Sequence, residues 1–443
     1  MSMVGDFMSV DGTSVEMLAL DGGTPVRGGP LPWELPGAHW IGAEERELVL
    51  SVVDAKSPFR FYGPDLQHCV DRLEEAWRET FGHPHALAVN CGTAALHIVL
   101  GAMEVGPGDE VLVPGYMWVS CLSAVVRLGA IPRLVDIDDT FCMDPVDLKA
   151  KINERTKAIL CVNMSGAPGH ITEIAEIARA AGVYLLEDCA QAIGASQGGK
   201  PAGTFGDASI YSFQLNKNMT SGDGGMIACK DEHLYKRCFA MHDLGYARND
   251  EGRLDTSDAR YQLWGVGARM SELQGAMALA QLGKLDRITG AMRSAKWRIR
   301  DAVSDIEGLG FRNIVDPAGD SGPFLITVYP DAETCARFTA ALVEEGIRGP
   351  EGSLTNVPMT GWGLHWYFNV PSLVEKRSLS ADGFPWTHPA NSFAGEIDYA
   401  RGLLPRCDDM YQRAAILSIA SCLTDDDVDD VITAFHKVAR SVL

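Results

Sequence analysis

Lys217 sits in the stretch Ser212-Phe213-Gln214-Leu215-Asn216-Lys217-Asn218-Met219-Thr220-Ser221-Gly222, directly after a short β-like run at 208–213. Asp188 closes another such run upstream, Val183-Tyr184-Leu185-Leu186-Glu187-Asp188. Either residue alone carries little: a lone lysine is ordinarily a solvated side chain, and an aspartate at a strand end can serve as a helix N-cap. Together they have a chemical meaning. A lysine amine can condense with an aldehyde cofactor, and a carboxylate opposite a pyridine nitrogen keeps that nitrogen protonated. These are the two groups that pyridoxal phosphate (PLP) chemistry requires. Once freed by a substrate amine, the neutral lysine can also carry a proton.

Weaker signals surround the pair. Gly92-Thr93 opens a helical stretch straight after a strand-like run, where backbone N–H groups, the helix dipole and the Thr93 hydroxyl favour a phosphate. Ser212 can add a second hydroxyl. Trp118, just after another strand-like run, can lie flat on an aromatic ring or fill the core. Gln191 can hydrogen-bond a phenolic oxygen or satisfy local backbone.

Elements that would position these residues follow from periodicity. Apolar strand-like runs at 86–90, 110–114, 131–136, 157–163, 183–188, 208–213 and 225–229 predict seven strands. Helical stretches are expected in the first five gaps, among them 93–104, 116–128 and 171–181. This alternation implies an α/β fold with a largely parallel seven-stranded sheet and helices on both faces, its ligand beyond the C-terminal strand ends. A helical stretch at 270–302 reads as a connector. The remainder mixes strands, such as 324–328, with helices at 331–345 and 424–440, and is read as a smaller C-terminal α+β domain. The expected division is an N-terminal arm at 1–40 whose first 16 residues are mobile, a large domain at 41–290 and a small domain at 291–443.

Bulk properties narrow the function. A formal charge of −21 and a pI near 4.9 argue against nucleic-acid or anionic-membrane surfaces, which need basic patches. No long apolar run predicts a membrane span, and no secretory leader is expected. The eleven cysteines lack C-x-x-C spacing, so reduced thiols in a cytoplasmic protein are expected and no metal site is.

The joint pattern resembles the DegT/StrS-like sugar aminotransferases, fold type I PLP enzymes. The residues that carry it are Asn90-Cys91-Gly92-Thr93-Ala94-Ala95-Leu96, Gly108-Asp109-Glu110-Val111-Leu112-Val113-Pro114, Glu187-Asp188-Cys189-Ala190-Gln191-Ala192, Gly203-Thr204-Phe205-Gly206-Asp207-Ala208, the Lys217 stretch, and Arg269-Met270-Ser271-Glu272-Leu273-Gln274, in the family's order. The resemblance implies Lys217 as the Schiff-base lysine and Asp188 as the ring-nitrogen partner. Trp118 would stack on the ring, Gly92, Thr93 and Ser212 would hold the phosphate, and Gln191 would lie near the phenolic oxygen. It further implies a homodimer with active sites at the interface, and an amino acid donor, glutamine or glutamate, that converts PLP to pyridoxamine phosphate. Two departures stand out: Gly267 replaces a usual Asn two residues before Arg269, and Asn163 replaces a common His. Phe213-Gln214 with Met219-Thr220-Ser221-Gly222 resembles the cyclitol and amino-hydroxybenzoate branch, and the opening Leu18-Ala19-Leu20-Asp21-Gly22-Gly23-Thr24-Pro25-Val26-Arg27 resembles the arm of inosose aminotransferases. The implied activity is amination of a cyclitol or keto-sugar ketone in antibiotic biosynthesis. Dehydration, elimination or decarboxylation on the same fold is the alternative, and a cofactor-binding regulator a more distant one. His365 and Trp366 are candidates for substrate contact, with plain packing as the competing role.

Overall fold

The computed structural model describes residues 8–10, 13–249 and 251–443. Of the opening residues expected to be mobile, 1–7, 11 and 12 therefore lie outside the described residues. Seven strands form the central sheet: β1 (His85–Val89), β2 (Glu110–Pro114), β3 (Ile131–Val135), β4 (Thr156–Val162), β5 (Tyr184–Asp188), β6 (Ala208–Ser212) and β7 (Gly225–Cys229). Their order is β1-β7-β6-β5-β4-β2-β3. Only β7 runs antiparallel to its neighbours; the other pairings are parallel. The six parallel strands therefore present their C-terminal ends along one edge.

Both faces of this sheet are covered, which is why its strands read as nearly unbroken apolar runs. In β4, Ala158, Leu160 and Val162 enter one core cluster while Ile159 and Cys161 enter another. In β7, Ile227 and Cys229 face one way and Met226 and Ala228 the other.

Three local expectations need correction. The fifth gap, between β5 and β6, holds no helix. It carries Gly194, Gly198, Gly199 and Gly203 at positive φ and a small hairpin, Ser196–Gln197 with Lys200–Pro201; that glycine density disfavours a helix. The expected helix at 116–128 begins only at Ser120 (Ser120–Arg127), because the backbone of 115–117 bonds a distant segment instead. Met117 N–H donates to the His365 carbonyl (2.9 Å) and Tyr367 N–H to the Gly115 carbonyl (3.0 Å). The stretch 270–302 is two helices, Glu272–Leu282 and Leu285–Ala302, separated at Gly283-Lys284.

The C-terminal part carries an antiparallel four-stranded sheet made of β8 (Gly310–Phe311), β9 (Phe324–Val328), β10 (Asn356–Pro358) and β11 (Ala414–Ser418), in the order β8-β9-β11-β10. One face packs on the helices Leu285–Ala302, Ala332–Glu344 and Asp425–Val442. The other face adds Ile326, Ala414 and Ile416 to the large sheet's core. The stretch 17–40 is fastened across this part. Leu18 and Leu31 are buried in its core, and the Glu345 carboxylate accepts from Ala19 N–H (2.8 Å), Val26 N–H (3.0 Å) and the buried Lys437 ammonium (2.9 Å).

Glu345→Ala leaves the buried Lys437 with only the exposed Glu16 carboxylate, at 3.8 Å, as counter-charge and strips two N–H groups of their acceptor. We expect a loss of about 3 kcal/mol, read as a lower urea midpoint. The apolar double variant Glu345→Leu/Lys437→Met should recover only part of it, since it removes the stranded charge but still leaves the N–H groups of Ala19 and Val26 without an acceptor.

Candidate active site

The C-terminal strand ends gather the residues singled out above. At the end of β1, Asn90-Cys91 leads into helix α1 (Gly92–Ala102), whose N-cap is Cys91. Gly92 lies against the end of β6: a Cβ there would fall 2.9 Å from the Ser212 Cβ, so the close approach requires glycine. The Thr93 hydroxyl is 2.9 Å from that of Ser120, at the start of helix α2 (Ser120–Arg127). Thr93 is exposed and Ser120 half-buried. Free helix-start N–H groups and a bare glycine backbone beside three hydroxyls make a concave donor set suited to a phosphate.

Glu187 and Asp188, consecutive at the end of β5, are both buried, and their surroundings differ. Glu187 accepts from the N–H groups of Gly203 (2.8 Å), Phe205 (2.7 Å) and Gly206 (2.7 Å) and from Asn163 Nδ2 (3.1 Å), so its role is to tie the glycine-rich loop to the sheet. Asp188 has less: Ala190 N–H at 2.9 Å and the Cys121 thiol at 3.3 Å. Burial pushes its carboxyl above the usual aspartate range, against the pull of Ala190 N–H, the Cys121 thiol and the Lys217 charge. A buried carboxylate with unused lone pairs is a ready acceptor for a cationic N–H.

Lys217 lies in the β6–β7 connection, held by Phe213 N–H to the Gly224 carbonyl (2.9 Å) and Ser221 N–H to the Phe213 carbonyl (3.0 Å). Asn218 Nδ2 donates to the Ile193 carbonyl (2.8 Å). The arm also touches this loop: Gly37 N–H donates to the Lys217 carbonyl (3.2 Å), and a Cβ on Gly37 would sit 2.9 Å from both Met219 Cα and Thr220 N. Lost hydration pushes the Lys217 ammonium below the usual lysine range, opposed by Asp188 and then Cys121. That shift favours the neutral, nucleophilic amine.

Trp118 is 44% exposed, with one flank against His365 at 4.8 Å between ring centroids. An indole so open at a strand end is available to a planar ligand and is not a core residue. His365 Nδ1 lies 2.7 Å from the Trp362 carbonyl. Burial pushes the ring down to about 4; the bond to Trp362 opposes this and the Lys217 charge adds to it. Trp366, by contrast, is fully buried and stacked 4.3 Å from Tyr116, so its role is packing. Gln191 Oε1 accepts from Ser165 N–H (3.0 Å). Gly267 lies exposed at φ +67 with nothing within 4 Å of a built Cβ. Asn163 is wholly buried, its amide donating to Glu187. Ser120 and Cys121 had no separate signal in the sequence beyond lying just after Trp118.

Concave volume also exists at the opposite edge of the sheet. A cleft of about 530 Å³ opens beside His85 and Tyr235, and one of about 320 Å³ beside Tyr184 and Lys230. Both lie at N-terminal strand ends, where no part of the Lys217 constellation reaches.

The arrangement fits PLP: a glycine-lined donor set for a phosphate, an open indole face, an under-satisfied buried carboxylate and a lysine with a depressed pKa. Comparison with known proteins agrees. Residues 42–350 match the profile of the DegT/DnrJ/EryC1/StrS aminotransferase family. The chain is 32% identical over 436 residues to the L-glutamine:2-deoxy-scyllo-inosose aminotransferase of Streptomyces kanamyceticus, covering 96% of this chain and 97% of that one. It is 31% identical to the enzyme of the same name from Streptomyces paromomycinus, with coverage of 96% and 97%. Among solved structures, 3-amino-5-hydroxybenzoic acid synthase superposes with a TM-score of 0.74 at 25% identity, covering 94% of this chain and 98% of that one. An aminotransferase from Psychrobacter cryohalolentis gives 0.76 at 23% identity (93% and 99%), a likeness of fold.

Two outcomes are expected. Gly92→Ala forces the Ser212 side chain aside and should weaken PLP retention about tenfold, or about 1.4 kcal/mol, read by equilibrium dialysis with absorbance. His365, which protonates near pH 4 when folded and near 6.5 when unfolded, takes stability away as pH falls between those values, because the unfolded state then binds more protons. The urea midpoint should therefore drop more steeply from pH 6.5 to pH 4 in the wild type than in His365→Asn.

Proposed function

Because the chain belongs to the DegT/DnrJ/EryC1/StrS aminotransferase family and is a PLP-dependent aminotransferase, we propose that it transfers the α-amino group of L-glutamine to a ring ketone of an inosose-like cyclitol. The product would serve an aminocyclitol-containing antibiotic. The observation that carries this reading is the end-to-end likeness to the two glutamine:inosose aminotransferases, which extends through the arm and the C-terminal part as well as the cofactor-binding core.

When bound, PLP supplies an electron sink that lets the amine leave one carbon skeleton and join another. The chain's own residues would do the rest. Gly92, Thr93, Ser120 and Ser212 would anchor the phosphate. Asp188 would keep the proton at the ring nitrogen, and Trp118 would cover one face of the ring. Lys217 would hold the aldehyde carbon and, as a neutral amine, move a proton to and from the reacting carbon. His365, neutral above about pH 4 and packed beside Trp118, would offer its Nε2 as an acceptor to a hydroxyl of the keto substrate.

We also propose a division near residue 290 and a cytoplasmic homodimer. Supporting the dimer, the loop before Arg269 exposes Trp264 at 93% and Val266 at 47%, an apolar surface suited to a second copy. Supporting the compartment, all eleven cysteines are free, and among the described residues no helix is long and apolar enough to cross a membrane.

With L-glutamine labelled by ¹⁵N at the α-amine and a panel of inososes and keto sugars, the label should appear in an aminocyclitol. Lys217→Ala should lower turnover about a thousandfold. Consumption of the ketone with no label in the product would reject transamination.

A further inference from the structure

Arg312, between β8 and β9, is buried, and no carboxylate pairs with it among the described residues. Its five N–H groups go instead to backbone carbonyls and one thiol. Nε donates to the Thr140 carbonyl (2.6 Å), and Nη1 donates to the carbonyls of Met164 (2.7 Å) and Ser165 (3.1 Å). Nη2 donates to the Ala167 carbonyl (2.8 Å) and the Cys142 sulfur (3.5 Å). The one carbonyl it leaves in that run, Gly166, accepts from Ser321 N–H and Oγ, both at 2.9 Å. Every carbonyl from Met164 to Ala167 is thus tied to the segment 312–321.

The tied loop is strained. Ser165 has φ +53 and Gly166 φ +94, two successive left-handed residues, the first carrying a side chain. A guanidinium spanning four carbonyls can hold that geometry; a lysine, with three donors on a point charge, cannot. The strain turns Ser165 N–H toward Gln191, where it donates to Oε1 (3.0 Å). A backbone N–H only donates, so the amide of Gln191 has one allowed orientation: carbonyl toward Ser165, NH₂ away from it.

We propose that Arg312 is a positioning residue that acts through Ser165 to make Gln191 present its NH₂ group, as a hydrogen-bond donor, to the anionic ring oxygen of the bound cofactor. The proposal rests on the PLP reading above. A donor stabilises the ionised oxygen and so lowers the pH at which the bound cofactor's visible band titrates. Losing the donor raises it.

The test uses holoenzyme, checked for folding by circular dichroism, with the visible band recorded against pH. Gln191→Leu should move the midpoint up by about one pH unit. Arg312→Met and Arg312→Lys should move it up by a similar amount, and Arg312→Met should add nothing in the Gln191→Leu background. A wild-type midpoint in Arg312→Met, or a full second shift in the double variant, would overturn the proposal. Should Arg312→Met not fold, Arg312→Lys decides: it keeps the buried charge but cannot span the four carbonyls, so a wild-type midpoint there overturns the proposal and a raised one supports it. A wild-type protein that binds PLP without any visible band would reject the PLP reading itself.

Discussion

A carboxylate buried with too few partners sets the terms for everything around it. Asp188 and Glu187 are neighbours in one strand, and alternation sends their side chains to opposite faces of the sheet. Glu187 meets a ring of N–H groups and becomes structure. Asp188 meets one N–H and one thiol, and keeps its capacity for a cation. Burial disfavours the charged form of both Asp188 and Lys217, and each partly offsets the other. A protonated ring nitrogen beside Asp188 would satisfy the carboxylate better than a free lysine can. The sheet's interior therefore supplies the electrostatics, and the loops supply the reactive groups.

Positioning is shared between distant parts of the chain. The arm reaches the Lys217 loop at Gly37, where the fit leaves no space for a side chain. The segment around His365 is zipped to the strand-end loop that carries Trp118. Arg312 fixes the loop after β4 from the C-terminal sheet. Each contact brings one element of the C-terminal part or the arm onto the same edge of the large sheet, so the site is built from nearly the whole length of the chain.

The strands were legible because burial on both faces leaves apolar runs too short for a helix, alternating with helix-period stretches. All seven fall within a residue or two of their expected bounds. Lys217, Asp188 and Gly92-Thr93 were legible because their chemistry and the strand ends agreed. What was hidden is what depends on partners remote in sequence. Residues 116 and 117 fall in a helix-like pattern, yet the backbone of 115–117 pairs with 365–367. Cys121 and Ser120 acquire meaning only beside Asp188 and Thr93. Arg312 gives no sign in its own neighbourhood that its acceptors lie at 140 and 164–167. The glycines between β5 and β6 were visible, but the alternation of the surrounding elements outweighed them in the expectation of a fifth helix.

The β6–β7 connection has a further consequence. Ser212 is locked by register opposite Gly225, and Lys217 follows it on the same turn of chain. The hydroxyl that would hold one end of a ligand and the amine that would bond the other are therefore joined by a short covalent span fixed at both sides. That span is tethered where Phe213 N–H meets the Gly224 carbonyl and Ser221 N–H meets the Phe213 carbonyl, so any change that loosens the connection would displace the hydroxyl and the amine together.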